Sequence, residues 1–380
     1  MVYDVAVIGG GPGGAAAAIR AAQLGCSSAL FESDAAPSTR VGEMLPAAVD
    51  AVLRRLYSWD RFALNDPVPC AGRCAAWGDP ELAWRDPLSP VRGGGHGRGR
   101  GWFVERARFD GLLRSAAVAA GVSVRMGEPV TGIRRGSDGT WRLVVANGGR
   151  SVGARFLVDA SGRAGVVARR MGVRRVQADS LVALCAVVEA GRGVSEVAYS
   201  VVESAEEGWW QVARSSAGQA VVSLFTDSDL AAGMGSGVGV WHAWLSRTRH
   251  VAALLDRPPA PRHVSRIAAW SHCLEPAQGP GWVAVGDAAA ARDPLVSAGT
   301  FDAMDSGIDA AEAAVGYLRG NPGVLDRYGR DVRERFSDHR TECLGRYALE
   351  RRWPDSAFWK RRLRGKQGDG GSGHEQVSSQ

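Results

Sequence analysis

Three glycines and one acid carry the first recognisable chemistry in this chain. Gly9, Gly11 and Gly14 stand in G-x-G-x-x-G spacing, and Glu32 follows about twenty residues on. The first glycine permits a tight turn, the second lets backbone approach a pyrophosphate, and the third lets a helix pack closely on a strand. A pyrophosphate would lie on the free N–H groups of the helix N-terminus, and Glu32 would accept hydrogen bonds from the adenosine ribose hydroxyls. Two more glycine–acid segments follow, Asp159-Ala160-Ser161-Gly162-Arg163 and Gly286-Asp287-Ala288-Ala289. Other proton-moving groups are few. His96, in the run Gly93–Gly101, reads as a solvated loop histidine; His272, beside Cys273, as a core or surface histidine. Asp293, next to Pro294, is either a helix-leading acid near the site or a turn residue. Cys70 and Cys74 lack the CxxC spacing of a redox pair, and no His/Cys/Asp cluster has zinc or iron ligand spacing, so no metal is expected.

These residues need elements to hold them. Val5-Ala6-Val7-Ile8 is an apolar run of the kind that forms a buried parallel strand, followed by an Ala-rich helix over Ala15–Leu24 and a second strand at Ser28–Phe31. Phe156–Asp159 and Gly281–Val285 read as strands of the same sheet, so a ligand at their carboxyl ends would meet all three glycine–acid segments. Between them the pattern changes. Leu181–Glu189, Glu196–Val202, Trp209–Arg214 and Gln219–Thr226 are short, Val-rich and partly alternating, as in an antiparallel sheet; Ser236–Leu255 then reads as one helix. The expected fold is α/β: a Rossmann-type domain with a parallel sheet, formed by 1–173 and 274–345, with an inserted antiparallel-sheet substrate domain at 174–273. Residues 346–363 form a C-terminal segment, and the polar Gly/Ser-rich stretch 364–380 reads as a disordered tail.

Composition bounds the alternatives. With 380 residues, 45% hydrophobic and 23% charged, the chain is long enough for about two domains and too apolar for a disordered protein. No apolar run has membrane-span length, and Met1-Val2-Tyr3-Asp4 lacks the basic region of a signal peptide. The six cysteines show no regular framework, so the expectation is a reduced, cytoplasmic protein without a membrane partner. The net charge of +6 comes almost entirely from arginine scattered along the chain, which does not form a nucleic-acid stripe; Lys360 and Lys366 are the only lysines.

Taken together, the three blocks resemble the FAD-dependent monooxygenase superfamily with the p-hydroxybenzoate hydroxylase fold, over about residues 3–345. The markers are Gly9/Gly11/Gly14 with Glu32, Asp159-x-x-Gly162-Arg163, and Gly286-Asp287 running on through Pro294, Gly299 and Ala303-Met304-Asp305-Ser306-Gly307. The resemblance implies FAD as cofactor, with Asp159, Gly162 and Gly286 among the residues that bind it. It places Asp287 at the ribityl chain, Pro294 to Thr300 beside the isoalloxazine ring, and Arg106 and Arg40 near the flavin. The helix from near Phe301 would point its positive end at the flavin N1–C2=O edge. Arg108, in the same R-x-x-F-D segment as Arg106, is either a further flavin neighbour or a solvated helix-surface charge. Glu43, in Gly42-Glu43-Met44-Leu45-Pro46, lies in a block that reaches the flavin in relatives and is either a catalytic acid or a structural residue there, with Pro294 and Gly299 the other catalytic candidates, at the ring. Within the superfamily, that block, Ala76-Trp77-Gly78, Gly208-Trp209-Trp210 and Glu350–Trp359 resemble the branch of tryptophan halogenases and of flavoproteins that mature quinone cofactors.

Halogenases of this branch need a lysine beyond the G-E-x-x-x-P block, yet Pro46 to Trp141 contains none, and arginine offers no amine nucleophile. Gly208-Trp209-Trp210-Gln211-Val212-Ala213-Arg214 also lacks the spaced Trp and Ile-Pro of the halogenase signature. The expectation is therefore hydroxylation of an indole or phenol through a flavin C4a-hydroperoxide, with O2 as co-substrate; halogenation and a geranylgeranyl-reductase-like reduction are the alternatives. The 13 tryptophans would supply an aromatic pocket, or else ordinary packing. No second G-x-G-x-x-G exists, so NAD(P)H docking or a partner flavin reductase would supply electrons. The substrate would be a free aromatic molecule or one borne by a peptide or carrier.

Overall fold

A computed structural model describes residues 1–35, 43–85, 101–146, 151–215, 218–235, 237–255 and 261–368, the side chains of Glu43, Arg85 and residues 364–368 excepted. Its first layer is a sheet centred on Val2–Ile8, whose Val5, Ala6 and Val7 have no exposed surface. Ser151–Asp159 and Ser28–Glu32 flank that strand in parallel, and Trp282–Ala284 and Ser123–Met126 extend the parallel array on either side. Burial on both faces explains why these strands read as unbroken apolar runs. The hairpin Val130–Arg135 and Trp141–Val145 joins antiparallel to Ser151–Asp159. Two helices cross beneath the sheet on small residues. A Cβ on Gly13 of Pro12–Gln23 would lie 2.9 Å from the Ala303 carbonyl oxygen of Gly299–Leu318, and one on Gly307 would meet the Gly13 carbonyl.

The second layer is a seven-stranded sheet in the order Ser265–Ala268, Leu181–Glu189, Gln219–Asp227, Gly208–Arg214, Tyr199–Ala205, Gly72–Ala76 and Ala83–Arg85. Its last two strands come from before residue 174: Gly72–Ala76 pairs parallel with Tyr199–Ala205. Nothing in Gly-Arg-Cys-Ala-Ala carries a β-branched or alternating signal, so that addition is invisible locally. The strand expected from Glu196 starts at Tyr199, because Arg192–Glu196 is helical.

Ser236–Leu255 is two helices, Val238–Leu245 and His250–Leu254, with Ser236 outside the described residues. The break has a cause in the sheet. Glu203 accepts the N–H groups of Arg249 at 2.7 Å and of His250 and Val251 at 2.9 Å, capping the second helix from outside. Helix Ala357–Gly368 runs into the stretch expected as a tail; residues 369–380, and His96 with residues 93–100 of its loop, lie outside the described residues. Among the described residues no helix is long and apolar enough to cross a membrane.

Candidate active site

The carboxyl ends of the parallel strands open into one chamber of about 900 Å³, roofed by the second sheet. Gly9, Gly11, Glu32, Arg106, Gly162, Gly286, Asp287, Pro294, Gly299 and Thr300 all line it, so residues up to 291 positions apart in sequence share one cavity. At one end Gly9 has φ +110°, and a Cβ there would drive into the Ala160 carbonyl, so the turn demands glycine. Gly14 is off the wall; its missing Cβ leaves room for the Gly9 carbonyl, so it shapes the turn. The first helix begins at Pro12 with Gly11 as N-cap and no side-chain cap, leaving its first N–H groups to a ligand.

Glu32 is buried. Its Oε2 accepts the Gly10 N–H at 2.7 Å, and its Oε1 accepts from Ser33 Oγ at 3.0 Å and the Asp34 N–H at 3.1 Å. Arg106 forms an ion pair with Asp110 at 3.2 Å. One helical face on, Arg114 Nη1 donates to the Gly10 carbonyl at 3.2 Å, a tie the sequence reading missed although Arg106, Asp110 and Arg114 repeat every four residues. Arg108 is exposed and donates to Asn65, the surface role among its two readings.

Asp159 is the first correction. It has no exposed surface and is not on the chamber wall. Its Oδ1 accepts from Ser161 Oγ at 2.5 Å, and its Oδ2 accepts the N–H groups of Val167 at 2.7 Å and Ala168 at 3.0 Å. It therefore caps Val166–Arg170 and fixes the Ser161–Ala164 turn that does line the chamber; it is a positioning residue, not a ligand. Arg40 lies outside the described residues. Glu43 sits in Glu43–Leu45, paired with Gly101–Val104, and its neighbour Met44 reaches the wall; the Glu43 side chain lies outside those described. Asp287 reaches the wall at the third strand end, where Arg163 Nε approaches it at 3.4 Å.

The far end is built on Pro294–Val296, Ser297 in the left-handed region at φ +52°, and helix Gly299–Leu318, which starts two residues before Phe301. That helix also lacks a side-chain cap, and its positive end favours negative charge nearby by about 0.3–2 kcal/mol. Arg292 brackets the loop through Asp302 at 2.6 Å. From the roof, Arg73 Nη1 donates to the Leu295 carbonyl at 2.5 Å and Nη2 to Ser297 Oγ, a clamp that no motif announced. Asp293 combines its two sequence readings. It turns the loop by accepting the Leu295 N–H at 2.9 Å, and as a buried wall acid it accepts Tyr347 Oη–H at 2.9 Å. Burial, reinforced by the Asp179 charge, pushes its carboxyl up to about 6.

At the roof the tryptophans take the second of their two readings, ordinary packing. Its wall is made of Ala183, Cys185, Gln211, Ala213, Val221, Ser223 and Phe225, with no tryptophan among the described lining residues. Trp209 stacks behind Phe225 with ring centroids 3.9 Å apart, and Trp210 and Trp241 pack into a separate cluster on the other face. His272 is buried with neither ring nitrogen partnered, and burial takes it down to about 3, so it is a neutral core histidine. Among the described residues no group of three His, Cys, Asp or Glu side chains could hold a metal.

The cradle fits FAD. A Gly-only turn, an uncapped helix start, an acid on the wall beside that turn and a second uncapped helix start lie along one elongated cavity, as an adenine nucleotide joined to a ring system requires. The family model of the tryptophan halogenases matches residues 89–370. LodB of Marinomonas mediterranea, assigned as an FAD-dependent oxidoreductase, is 29% identical over 95% of this chain and 96% of its own length. Among solved structures, the flavin-dependent halogenase CmlS superposes with a TM-score of 0.82 at 25% identity, over 95% of this chain and 68% of that one. The peptidyl tryptophan dihydroxylase QhpG shares the fold, with a TM-score of 0.76 at 23% identity over 95% of this chain and 79% of that one. On the atom transferred, these comparisons weigh toward the halogenase alternative that the missing lysine disfavours.

Proposed function

The chain belongs to the tryptophan halogenase family and is an FAD-dependent oxidoreductase, and from that premise we propose that it transfers an oxygen atom to an electron-rich aromatic ring, an indole or a phenol. Bound and reduced, FAD supplies the activation of dioxygen. The Gly9–Gly14 turn and Glu32 would hold the adenine-nucleotide end, and the Pro294–Thr300 loop would seat the ring end; Gly9, Glu32, Pro294 and Thr300 all line the chamber. The small, largely apolar roof leaves space for a planar substrate and keeps water from the reacting atoms. Asp293, poised near neutral pH beside Tyr347 Oη, holds the proton that the site delivers.

One observation carries oxygen over halogen: among the described residues that line the chamber there is no lysine. Lys360 lies on helix Ala357–Gly368 and pairs with Asp355 at 3.0 Å, and arginine cannot substitute as an amine nucleophile. Halogenation is the second reading, supported by the family match and by CmlS. An indole borne by a peptide is the favoured substrate form, by likeness to the named substrate of QhpG. Electrons would come from NAD(P)H docking transiently or from a separate flavin reductase. Turnover of indole- and phenol-bearing peptides with a reductase, bromide and ¹⁸O-labelled dioxygen tests both readings by mass spectrometry. Product carrying ¹⁸O, formed equally without bromide, is expected. A bromine isotope pair in the product would establish the second reading, and hydrogen peroxide alone would defeat both.

A further inference from the structure

Arg73 is the odd charge in the molecule's interior. It is 6% exposed, on strand Gly72–Ala76, and among the described residues no carboxylate pairs with it. Its Nε has no partner, while its two terminal nitrogens reach a carbonyl and a hydroxyl of the loop on the chamber wall. The other buried arginine among the described residues, Arg362, is neutralised by Asp227 at 2.9 Å. Burying a guanidinium beside neutral acceptors alone is costly. Arg346 opposes its charge from one side, and burial with that neighbour brings it down to about 10, still protonated at neutral pH. The groups facing it with any negative tendency are the Cys70 and Cys343 thiols, and burial pushes both of those up, so they stay neutral. The two acids flanking the loop are otherwise engaged, Asp302 by Arg292 and Asp293 by Tyr347.

We propose that Arg73 is a positioning residue for the loop at the flavin-ring end of the chamber and that it also supplies a standing positive charge behind that loop, matched only when FAD is reduced. Ser297, which Arg73 holds, lies two residues before the start of helix Gly299–Leu318, so the charge and the positive end of the helix act at the same end of the chamber. This inference rests on the FAD site and not on which atom is transferred, so it survives either outcome of the product analysis.

The test is the midpoint potential of bound FAD at pH 7, read by spectroelectrochemistry without turnover. Arg73→Met should disfavour reduced relative to oxidised FAD about tenfold, a potential about 30 mV more negative. Arg73→Lys, which keeps the charge, should recover at least half of that shift. Ser297→Ala, which removes one anchor and keeps the charge, should shift the potential by less than half as much as Arg73→Met. If Arg73→Met does not fold, Arg73→Gln replaces it with the same expectation. A neutral variant at the wild-type potential, or lysine and neutral variants shifted alike, overturns the proposal.

Discussion

The two ends of the chamber are built on different principles. The nucleotide end is made of backbone: a left-handed Gly9, a helix start at Gly11–Pro12 and a single acid, Glu32, that takes an N–H from the turn itself. The ring end is made of side chains brought from afar. Arg73 comes from the roof, Tyr347 from the helix Gly323–Tyr347, and Arg292 and Asp302 from either side of the loop they bracket. The first kind of site tolerates almost no change at its glycines. The second can be altered one interaction at a time, which is where a family varies its chemistry on one scaffold.

Perturbing each end should show this asymmetry. Gly9→Ala imposes a strained φ and a clash with the Ala160 carbonyl, and FAD affinity in a fluorescence titration should fall at least a hundredfold. Glu32→Ala removes a charge-assisted acceptor of the Gly10 N–H, worth about 1.5–3 kcal/mol, and should weaken FAD binding about ten- to a hundredfold. At the other end, Ser223→Trp fills the roof side of the chamber. It should abolish product formation while FAD affinity changes less than threefold; equal loss of both would erase the distinction.

Asp293→Asn keeps an acceptor for the Leu295 N–H and removes the proton. Ionisation of Asp293 through about pH 6 should make the wild-type rate fall as pH rises from 5 to 7, and the variant should lose that limb. His272→Leu should matter least. A histidine lowered to about 3 binds its proton more readily in the unfolded chain, so it adds stability that is complete above about 6.5 and lost as pH falls toward 3. His339, lowered to about 4, acts in the same direction, and Asp293 opposes them between about 4 and 6. Urea denaturation of His272→Leu should show a shallower loss of stability in acid and a change within about 1 kcal/mol at pH 7.

The same asymmetry governs what the sequence disclosed. The glycine turn, its acid and the three strand ends are local words whose spacing follows from backbone geometry, and the structure brings them together as read. The Asp159-x-x-Gly162-Arg163 block implies a cofactor role for Asp159 by resemblance, yet its carboxylate faces inward to cap a five-residue helix while Gly162 lines the chamber. Arg73 and Tyr347 were not read at all. Their partners lie 222 and 54 residues away, and no periodicity or motif encodes a meeting made by tertiary packing. Glu203 broke an expected helix for the same reason, by capping from a strand 46 residues earlier. The tryptophan count left pocket and packing open, since an aromatic count does not say which face of a sheet each ring takes.

The structure of the FAD-loaded protein tests the account most directly. One FAD per chain is predicted, with its pyrophosphate at the Gly9–Gly14 turn and its ring between the Pro294–Thr300 loop and the Ala183–Phe225 face of the roof. A ring displaced from that loop, or a nucleotide bound away from the turn, would contradict it.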